Sequence, residues 1–403
     1  MEVIFHPTCM RILFINVLYE PYIGGGAEII LRDLVEGSQV LGHEVKVLSF
    51  WDKDDKEEVI NGIPVYRAKI PNVYLPYGKI RQPFLKRRLW HILDIYNPIS
   101  KKIVIKQIRD FKPDIVSIHN TYGWSCSIWD AVSESNMPAI QVLHDLYLLC
   151  PANMFKNNVV CKKRCLICIL MRFPHKLRSN KLKAVVGVSN FILNHYLSYG
   201  YFQDVPIKKV IYNLRKLDMN INKTVDLNYI NFGFIGTLAP NKGIEVLLKA
   251  YHKIKKPNYR LFVAGSGKKD YEEYLKSKYK DNSIVFMGRV DPKDFFEKVD
   301  VTIVPSIWYE PLGMVVVESF AFGVPVIGSN IGGIPEMISE GVNGMLFEPY
   351  KEGDLEEKML KFESEIEHWR SKSEIIKQSA QKFLDYEGWL NQWEELYKLV
   401  LSE

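Results

Sequence analysis

The chain has 403 residues, 47% of them apolar and 25% charged, with a net charge of +6. At about 150 residues per domain this implies two or three domains, and it excludes a disordered tail, a collagen-like fibre and a polytopic membrane protein. The longest uncharged stretch, Ala184 to Gln203, is broken by Ser, Asn, His and Gly, so no run of about 20 residues is apolar enough to span a bilayer.

The first residues, MEVIFHPTC, have no basic n-region and no long apolar core, so they do not read as a secretory signal. Met10 is a candidate start, with the nine residues before it either an extension or part of the fold. Buried-strand runs then alternate with amphipathic helical stretches. In the first half the predicted strands are Arg11–Asn16, Glu44–Phe50, Ile115–His119, Ala139–His144 and Val185–Ser189. In the second half they are Asn231–Gly236, Arg260–Ala264, Ile284–Gly288, Val301–Pro305 and Pro325–Gly328. Continuous apolar runs without strict alternation suit strands covered on both faces of a parallel sheet. Helices predicted at Gly243–Lys255 and Pro311–Phe322 supply the crossovers of an α/β, doubly wound fold. The pattern pauses near Ile207–Asn228, which places a first domain at 1–214 and a second at 215–385. The tail, 386–403, is a helix with Trp389, Trp393 and Tyr397 on one side, expected to pack in a core, with a return to the first domain open.

The two halves differ in charge. Residues 1–214 hold 28 Lys/Arg and 18 Asp/Glu, a net +10, whereas residues 215–403 hold 25 and 29, a net −4. Lys79 to Lys112 has ten basic residues against Asp94 and Asp110, and Leu146 to Gln203 has nine and no acid. Such a surface attracts phosphates, anionic lipid or nucleic acid; a solvated basic face is the plain alternative.

The second half carries the densest signals. In VPSIWYEPLGMVVVESFAFGVPVIGSNIGGIPE, Pro311 suits a first helical position and places Glu310 at the cap. The amides of Leu312, Gly313 and Met314 would then face out of a helix N-terminus, where anionic oxygens bind. Glu318 lies eight residues on, about 12 Å along a helix. Two carboxylates so spaced suit the hydroxyls at the two ends of a sugar–diphosphate–ribose ligand; the bland reading is a cap and a solvated helix residue. FIGTLAPNKG (234–243) is a strand, a turn through Gly236 and Thr237, and a helix start, with Lys242 in reach of a phosphate. FVAGSG (262–267) ends a strand on Gly265 and Gly267, allowing close backbone approach.

The chain at this point resembles the retaining, nucleotide-sugar-dependent glycosyltransferases of family four (glycosyl transferases group 1), of bacterial polysaccharide-biosynthesis type. The resemblance rests on RILFIN…GGGAE, GTLAPNKG, AGSG, GR, the spacing of Glu310 and Glu318, GVPVIGSNIGGIPEMI and GVNGMLF. It implies the GT-B fold: two Rossmann-like doubly wound parallel-sheet domains facing across a cleft. It also implies that Glu310 binds donor sugar hydroxyls, Glu318 the ribose and Lys242 the diphosphate, and that His144 meets the donor sugar near the reacting carbon. Thr237 departs from the family pattern, which commonly has an arginine there, and Arg289 cannot be assumed to replace it.

In the first half, Gly24, Gly25 and Gly26 follow the first strand and open a helix, either for backbone approach to donor or acceptor or as a flexible turn. His144 ends a strand, where ligands of such sheets bind; Asp145 either orients it or binds acceptor, and His119 is a weaker companion or a structural histidine. The implied reaction transfers a sugar to an acceptor hydroxyl with retention. Neither a catalytic metal nor another catalytic cofactor is expected. A catalytically silent GT-B protein acting as an assembly partner is the alternative from another class.

Cys150, Cys161, Cys165 and Cys168 cluster in a basic insert at about 146–183. Four thiols can form a structural zinc site or remain buried and free. Cys161-x3-Cys165-x2-Cys168 also matches the iron–sulfur triad of radical S-adenosylmethionine enzymes, in the wrong fold context. PYGKIRQPFLKRRLWHIL mixes basic residues, Arg87 and Arg88 among them, with apolar ones, as in an interfacial helix on anionic lipid; a core-packed helix with a wet basic face competes. The expected acceptor is a glycan or polyprenyl-linked glycan, and nucleic acid is not expected. The expected location is cytoplasmic, with a peripheral position at the inner face of the cell membrane.

Overall fold

A computed structural model of the protein describes residues 9–77, 82–217 and 226–402. Residues 1–8 of the N-terminal extension, and Lys79 and Arg81 of the basic run, lie outside the described residues. Two compact units emerge: the first comprises the chain up to Asn153, Lys163–Tyr212 and the chain from Glu387, and the second comprises Met154–Lys162 and Asn213–Tyr386.

In chain order the first strands are β1 (Arg11–Ile15), β2 (Glu44–Trp51), β3 (Lys56–Ile60), β4 (Ile63–Lys69), β5 (Ile115–Ile118) and β6 (Ala139–Leu143). Next come a small hairpin of β7 (Phe155–Lys156) and β8 (Val159–Val160), then β9 (Ala184–Gly187) and β10 (Ile207–Val210). The first unit's sheet has the order β10-β9-β6-β5-β1-β2-β4-β3, parallel except for β3. Its helices include α1 (Gly26–Val40), α2 (Phe84–Leu93), α3 (Pro98–Phe111), α4 (Ser127–Glu134), α5 (Leu166–Arg178) and α6 (Asn190–Ser198). Their ends follow local chemistry. The Asn97 side chain accepts from the Ile99 amide to start α3, and Ser189 accepts from Ile192 to start α6; each satisfies an amide that no helical carbonyl reaches.

The second unit's sheet uses β11 (Ile230–Ile235), β12 (Tyr259–Ala264), β13 (Ile284–Gly288), β14 (Val301–Val304), β15 (Val326–Ser329) and β16 (Gly344–Phe347), all parallel, in the order β13-β12-β11-β14-β15-β16. Counted within the unit this is 3-2-1-4-5-6, a doubly wound order whose switch point lies between β11 and β14. Its helices include α7 (Ile244–Ile254), α8 (Lys269–Lys278), α9 (Pro292–Phe296) and α10 (Met314–Ala321).

Each of the ten expected strands is present within a residue or two of its expected bounds, and β3, β4, β10 and β16 join them. Strand β10 lies inside the stretch where the pattern was expected to pause; it is an edge strand with only Ile207 buried, so it needs little apolar sequence. The C-terminal helix Tyr386–Ser402 packs in the first unit. Trp389 Nε1 donates to the Tyr212 carbonyl at 3.0 Å, and Glu394 Oε2 lies 2.6 Å from His43 Nε2. The cysteine-bearing insert is divided, because its hairpin β7–β8 belongs to the second unit. There the Val160 amide donates to Tyr350 Oη at 3.2 Å, and that hydroxyl donates to the Ile307 carbonyl at 2.5 Å. Among the described residues no helix is long and apolar enough to cross a membrane.

Candidate functional site

The second unit gathers its motif residues at the C-terminal ends of β11 to β14. The loops after β11 and β12 are zipped together: the Gly236 amide donates to the Ala264 carbonyl at 3.1 Å, and the Leu238 amide to the Ser266 carbonyl at 3.0 Å. A Cβ on Gly265 would stand 1.8 Å from the Gly236 carbonyl oxygen, and one on Gly267 2.0 Å from that of Leu238. Gly243, at φ +72°, would place a Cβ 1.7 Å from the Pro305 carbonyl oxygen, so only glycine lets the β11 loop meet the β14 loop. Thr237 is exposed at this edge. Arg289 donates to Ser266 Oγ at 3.0 Å, which brings an arginine onto the zipped loops although not at the family's position.

Glu310 is buried, 6% exposed. Its Oε1 accepts from Lys242 Nζ at 2.7 Å and from Ser306 Oγ at 2.7 Å, and Lys242 also lies over the Trp308 ring, 5.3 Å from its centroid. Burial alone would raise the Glu310 pKa; the Lys242 charge and the hydrogen bonds outweigh it, and the net shift is downward. Glu318 is equally buried, paired to Arg215 at 2.8 Å. There burial wins over Arg215, and the pKa is raised.

The local backbone differs from the sequence expectation. The helix begins at Met314, not Pro311, and its cap is Gly313 at φ +95° rather than Glu310. Of the three amides expected at the helix N-terminus only that of Met314 lies within the helix; Leu312 is turned into the core. The cause is the loop after β15. Gly333 donates to the Glu310 carbonyl at 2.8 Å, and a Cβ on Gly332 or Gly333 would come within 2.5 Å of the Glu310 or Pro311 carbonyl oxygen. This packing holds 310–313 as a loop, so the two glutamates are not joined by a continuous helix of about 12 Å.

The first unit offers a different edge. Its switch point lies at β1, between β5 and β2, and His119 and His144 follow β5 and β6. His119 Nδ1 lies 3.0 Å from His144 Nε2, and His119 Nε2 lies 3.1 Å from Ser117 Oγ. Burial pushes the His144 pKa down to about 4. Burial, then the neighbouring His144, puts His119 well below the ordinary imidazole value, so both rings are neutral near pH 7. Asp145 does not orient His144: its Oδ1 accepts from the Tyr147 amide at 2.9 Å, closing a tight local turn, and the partner that orients His144 is His119. Burial raises the Asp145 pKa. Glu28 is also buried with a raised pKa, from burial first and, more weakly, from the Asp145 charge. Gly25 caps α1 in extended backbone, and a Cβ on Gly26 would meet nothing within 4 Å, so packing within the unit does not demand glycine at either position.

Beside Gly24 opens a cavity of about 870 Å³ that the sequence reading did not anticipate, lined by Tyr22, Phe50, Trp51, Asp52, Tyr74 and Tyr77 among others. Aromatic side chains drawn from the end of β2 and from two loops leave no periodic signal; the fold alone brings them together. Arg215, a single polar residue outside any motif, was likewise missed, as was Ser306, four residues before Glu310 within the quoted segment. Arg87 and Arg88 lie on α2, where Arg88 covers the Phe84 ring at 4.3 Å.

Three of the four clustered cysteines meet. Cys168 Sγ lies 3.2 Å from Cys150 Sγ and 3.4 Å from Cys165 Sγ. Cys165 caps α5, and the Cys168 amide and thiol lower its pKa; the Cys150 thiol and burial push that of Cys168 up. Cys161 falls in the second unit. Among the described residues no group of three or more His, Cys, Asp or Glu side chains is arranged to hold a metal ion.

Comparison with known proteins covers both units. The profile of the Glycosyl transferases group 1 matches residues 220–383, and that of Glycosyltransferase Family 4 matches residues 24–213. An uncharacterized 42.6 kDa protein in the cps region of Klebsiella pneumoniae is 31% identical over 81% of this chain and 87% of its own. Sucrose-phosphate synthase from Thermosynechococcus elongatus superposes with a TM-score of 0.77 at 19% identity, over 98% of this chain and 99% of that one. The Anabaena protein HepE, solved with UDP and glucose, gives 0.67 at 20% identity, over 96% and 99%. At these identities the two structures show a shared fold, the GT-B architecture.

Proposed function

Since the chain belongs to the group 1 and family 4 glycosyltransferases, we propose that it moves a sugar from a nucleoside diphosphate sugar to an acceptor hydroxyl. The acceptor is a glycan or lipid-linked glycan of cell-surface polysaccharide, the anomeric configuration is retained, and no divalent metal is used. The observation that carries the reading is the pair of buried carboxylates at the switch-point edge of the 3-2-1-4-5-6 sheet, each held by its own cation. Glu310 rests on Lys242, and Glu318 on Arg215.

In this reading donor binding exchanges partners. Lys242 turns its charge to the departing diphosphate, and Glu310 accepts hydrogen bonds from sugar hydroxyls. Glu318 does the same for ribose. Cation and dipoles aimed at the leaving diphosphate lower the barrier because that is where negative charge grows, and Arg289 on the zipped loops stands in part for the arginine that Thr237 replaces. The incoming hydroxyl loses its proton to a donor phosphate oxygen, so no protein base is required. Neutral His144, fixed by His119, hydrogen-bonds the donor sugar without adding charge beside a cation-like centre. The glycines at 25 and 26, unneeded for packing, leave room for ligand at the backbone. The aromatic cavity beside Gly24, with Asp52 on its wall, fits the faces and hydroxyls of an acceptor sugar, and its volume is that of a ligand site. That relatives sit in a cps region and that HepE was solved with UDP and glucose supports the substrate class.

The test is turnover of UDP-, GDP- and ADP-sugars in the presence of a chelator, with Glu310→Ala as control and the product anomer read by NMR. One sugar nucleotide should be consumed with retention, and the variant should lose about a hundredfold or more. Turnover that the variant preserves, or an inverted product, contradicts the reading.

A further inference from the structure

Among the described residues the outer face of α5 has no partner in the unit that carries it. Helix α5 reads LICILMRFPHKLR. Its buried residues are Cys168, Arg172 and His175, which fall on one side at helical spacing. On the opposite side Leu166, Ile169, Leu170, Phe173 and Leu177 form a stripe one helix face wide, each of them 44–69% exposed. The rotation of α5 that presents this stripe is set by its inner contacts. Cys168 meets the thiols of Cys150 and Cys165. Arg172 lies over the Tyr147 ring at 4.2 Å, 3.6 Å from Asp94 Oδ2.

Asp94 is the C-cap residue of α2, so the same ion pair joins α5 to a second helix of similar character. Only Trp90 of α2 is buried, while Phe84, Leu85, Leu89 and Ile92 are exposed alongside Lys86 and Arg88, with Arg87 half-buried. An exposed apolar helix face flanked by charge marks an interaction site. Charge selects its occupant. Leu146 to Gln203 carries nine Lys/Arg and no acid, and α2 carries three basic residues and no acid.

We propose that α5 and α2 together form a docking face for an anionic lipid bilayer, with the apolar stripe of α5 set among the acyl chains and the flanking Lys and Arg side chains on the headgroups. The arrangement is that of an interfacial amphipathic helix, in which apolar insertion and attraction to anionic headgroups add. The face rests on the transferase reading only for its purpose, which is to hold the first unit where a lipid-linked acceptor resides.

The test floats the full chain on vesicles of phosphatidylglycerol and phosphatidylethanolamine, against vesicles of phosphatidylcholine alone. The chain should float with the anionic vesicles, less so as salt screens the headgroups. Leu170→Glu with Phe173→Glu should lower the bound fraction about tenfold or more, and Leu85→Glu with Leu89→Glu should lower it by a smaller factor. Both pairs are exposed, and each variant should keep the melting temperature of the parent. No flotation at low salt, or equal flotation of the α5 variant, overturns the proposal. So does a parent that is dimeric by light scattering and floats no better than a monomeric α5 variant, which would assign the face to a second copy of the chain. Turnover of a sugar nucleotide in solution is read separately, so loss of one result leaves the other standing.

Discussion

The two units present their motif residues in opposite electrostatic states. At the edge of the second unit the buried groups are ions in pairs: Lys242 with Glu310, Arg215 with Glu318. At the edge of the first unit the corresponding groups are neutral, two imidazoles in mutual hydrogen bond whose burial holds them uncharged. A buried charge persists only where a partner offsets its desolvation, so a pair is what a carboxylate keeps until a ligand replaces the partner. A neutral ring carries no such debt and changes little when a ligand arrives. The difference teaches which unit should respond to ligand charge and which should only position.

The comparison is broken most severely at Gly243. Gly243→Ala puts a methyl group 1.7 Å from the Pro305 carbonyl oxygen at φ +72°, so the two loops must part. A loss of about 3 kcal/mol or more of stability is expected, seen as a lower melting temperature together with lost response to nucleotide. Next comes the charge pair itself. Exchanging its ends, Lys242→Glu with Glu310→Lys, preserves the ion pair but reverses which charge faces the diphosphate and which the sugar. Turnover should stay about a hundredfold down although the fold survives. Recovery of activity in the exchanged protein would mean that the pair is only structural.

The smallest effect belongs to the neutral edge. An unfolded histidine titrates near pH 6.5, whereas His144 in the fold takes a proton only near pH 4. Between those values the unfolded chain binds the extra proton, so stability from this group is complete above about 6.5 and falls as pH drops towards 4. The His144 ring resonances should therefore show no titration from neutral pH down to about 5, and His144→Gln should lose stability less steeply on acidification than the parent. An inflection near 6.5 would place the ring in water.

What the sequence revealed follows from where the information sits. Strands β1, β5, β6, β11, β14 and β15 are buried along nearly their whole length because both faces of each sheet are covered there, and such largely apolar runs are visible without context. Glu310, Glu318 and Lys242 stand inside motifs and were found that way. The hairpin of β3 and β4 turns at Asn61-Gly62, both at positive φ, a strong local signal hidden by the charged KDDKEE segment around it. The start of α10 was misplaced because Pro311 is a good first helical residue locally, and the glycines that prevent it, Gly332 and Gly333, come from another strand's loop. Arg215 and the aromatic cavity depend wholly on such distant encounters. The face of α5 was within reach: Leu166, Leu170, Phe173 and Leu177 are spaced as a helical stripe, but a stripe in sequence does not say whether it points inward.

The central claim is that Glu310 reads the donor sugar at the edge of the second unit. Calorimetric titration of the parent and of Glu310→Ala, each with the preferred sugar nucleotide and with the bare nucleoside diphosphate, measures it directly. The parent should bind the sugar nucleotide more tightly than the diphosphate, and the variant should bind the two alike. An unchanged preference in the variant, or no binding of any sugar nucleotide by the parent, would contradict the account.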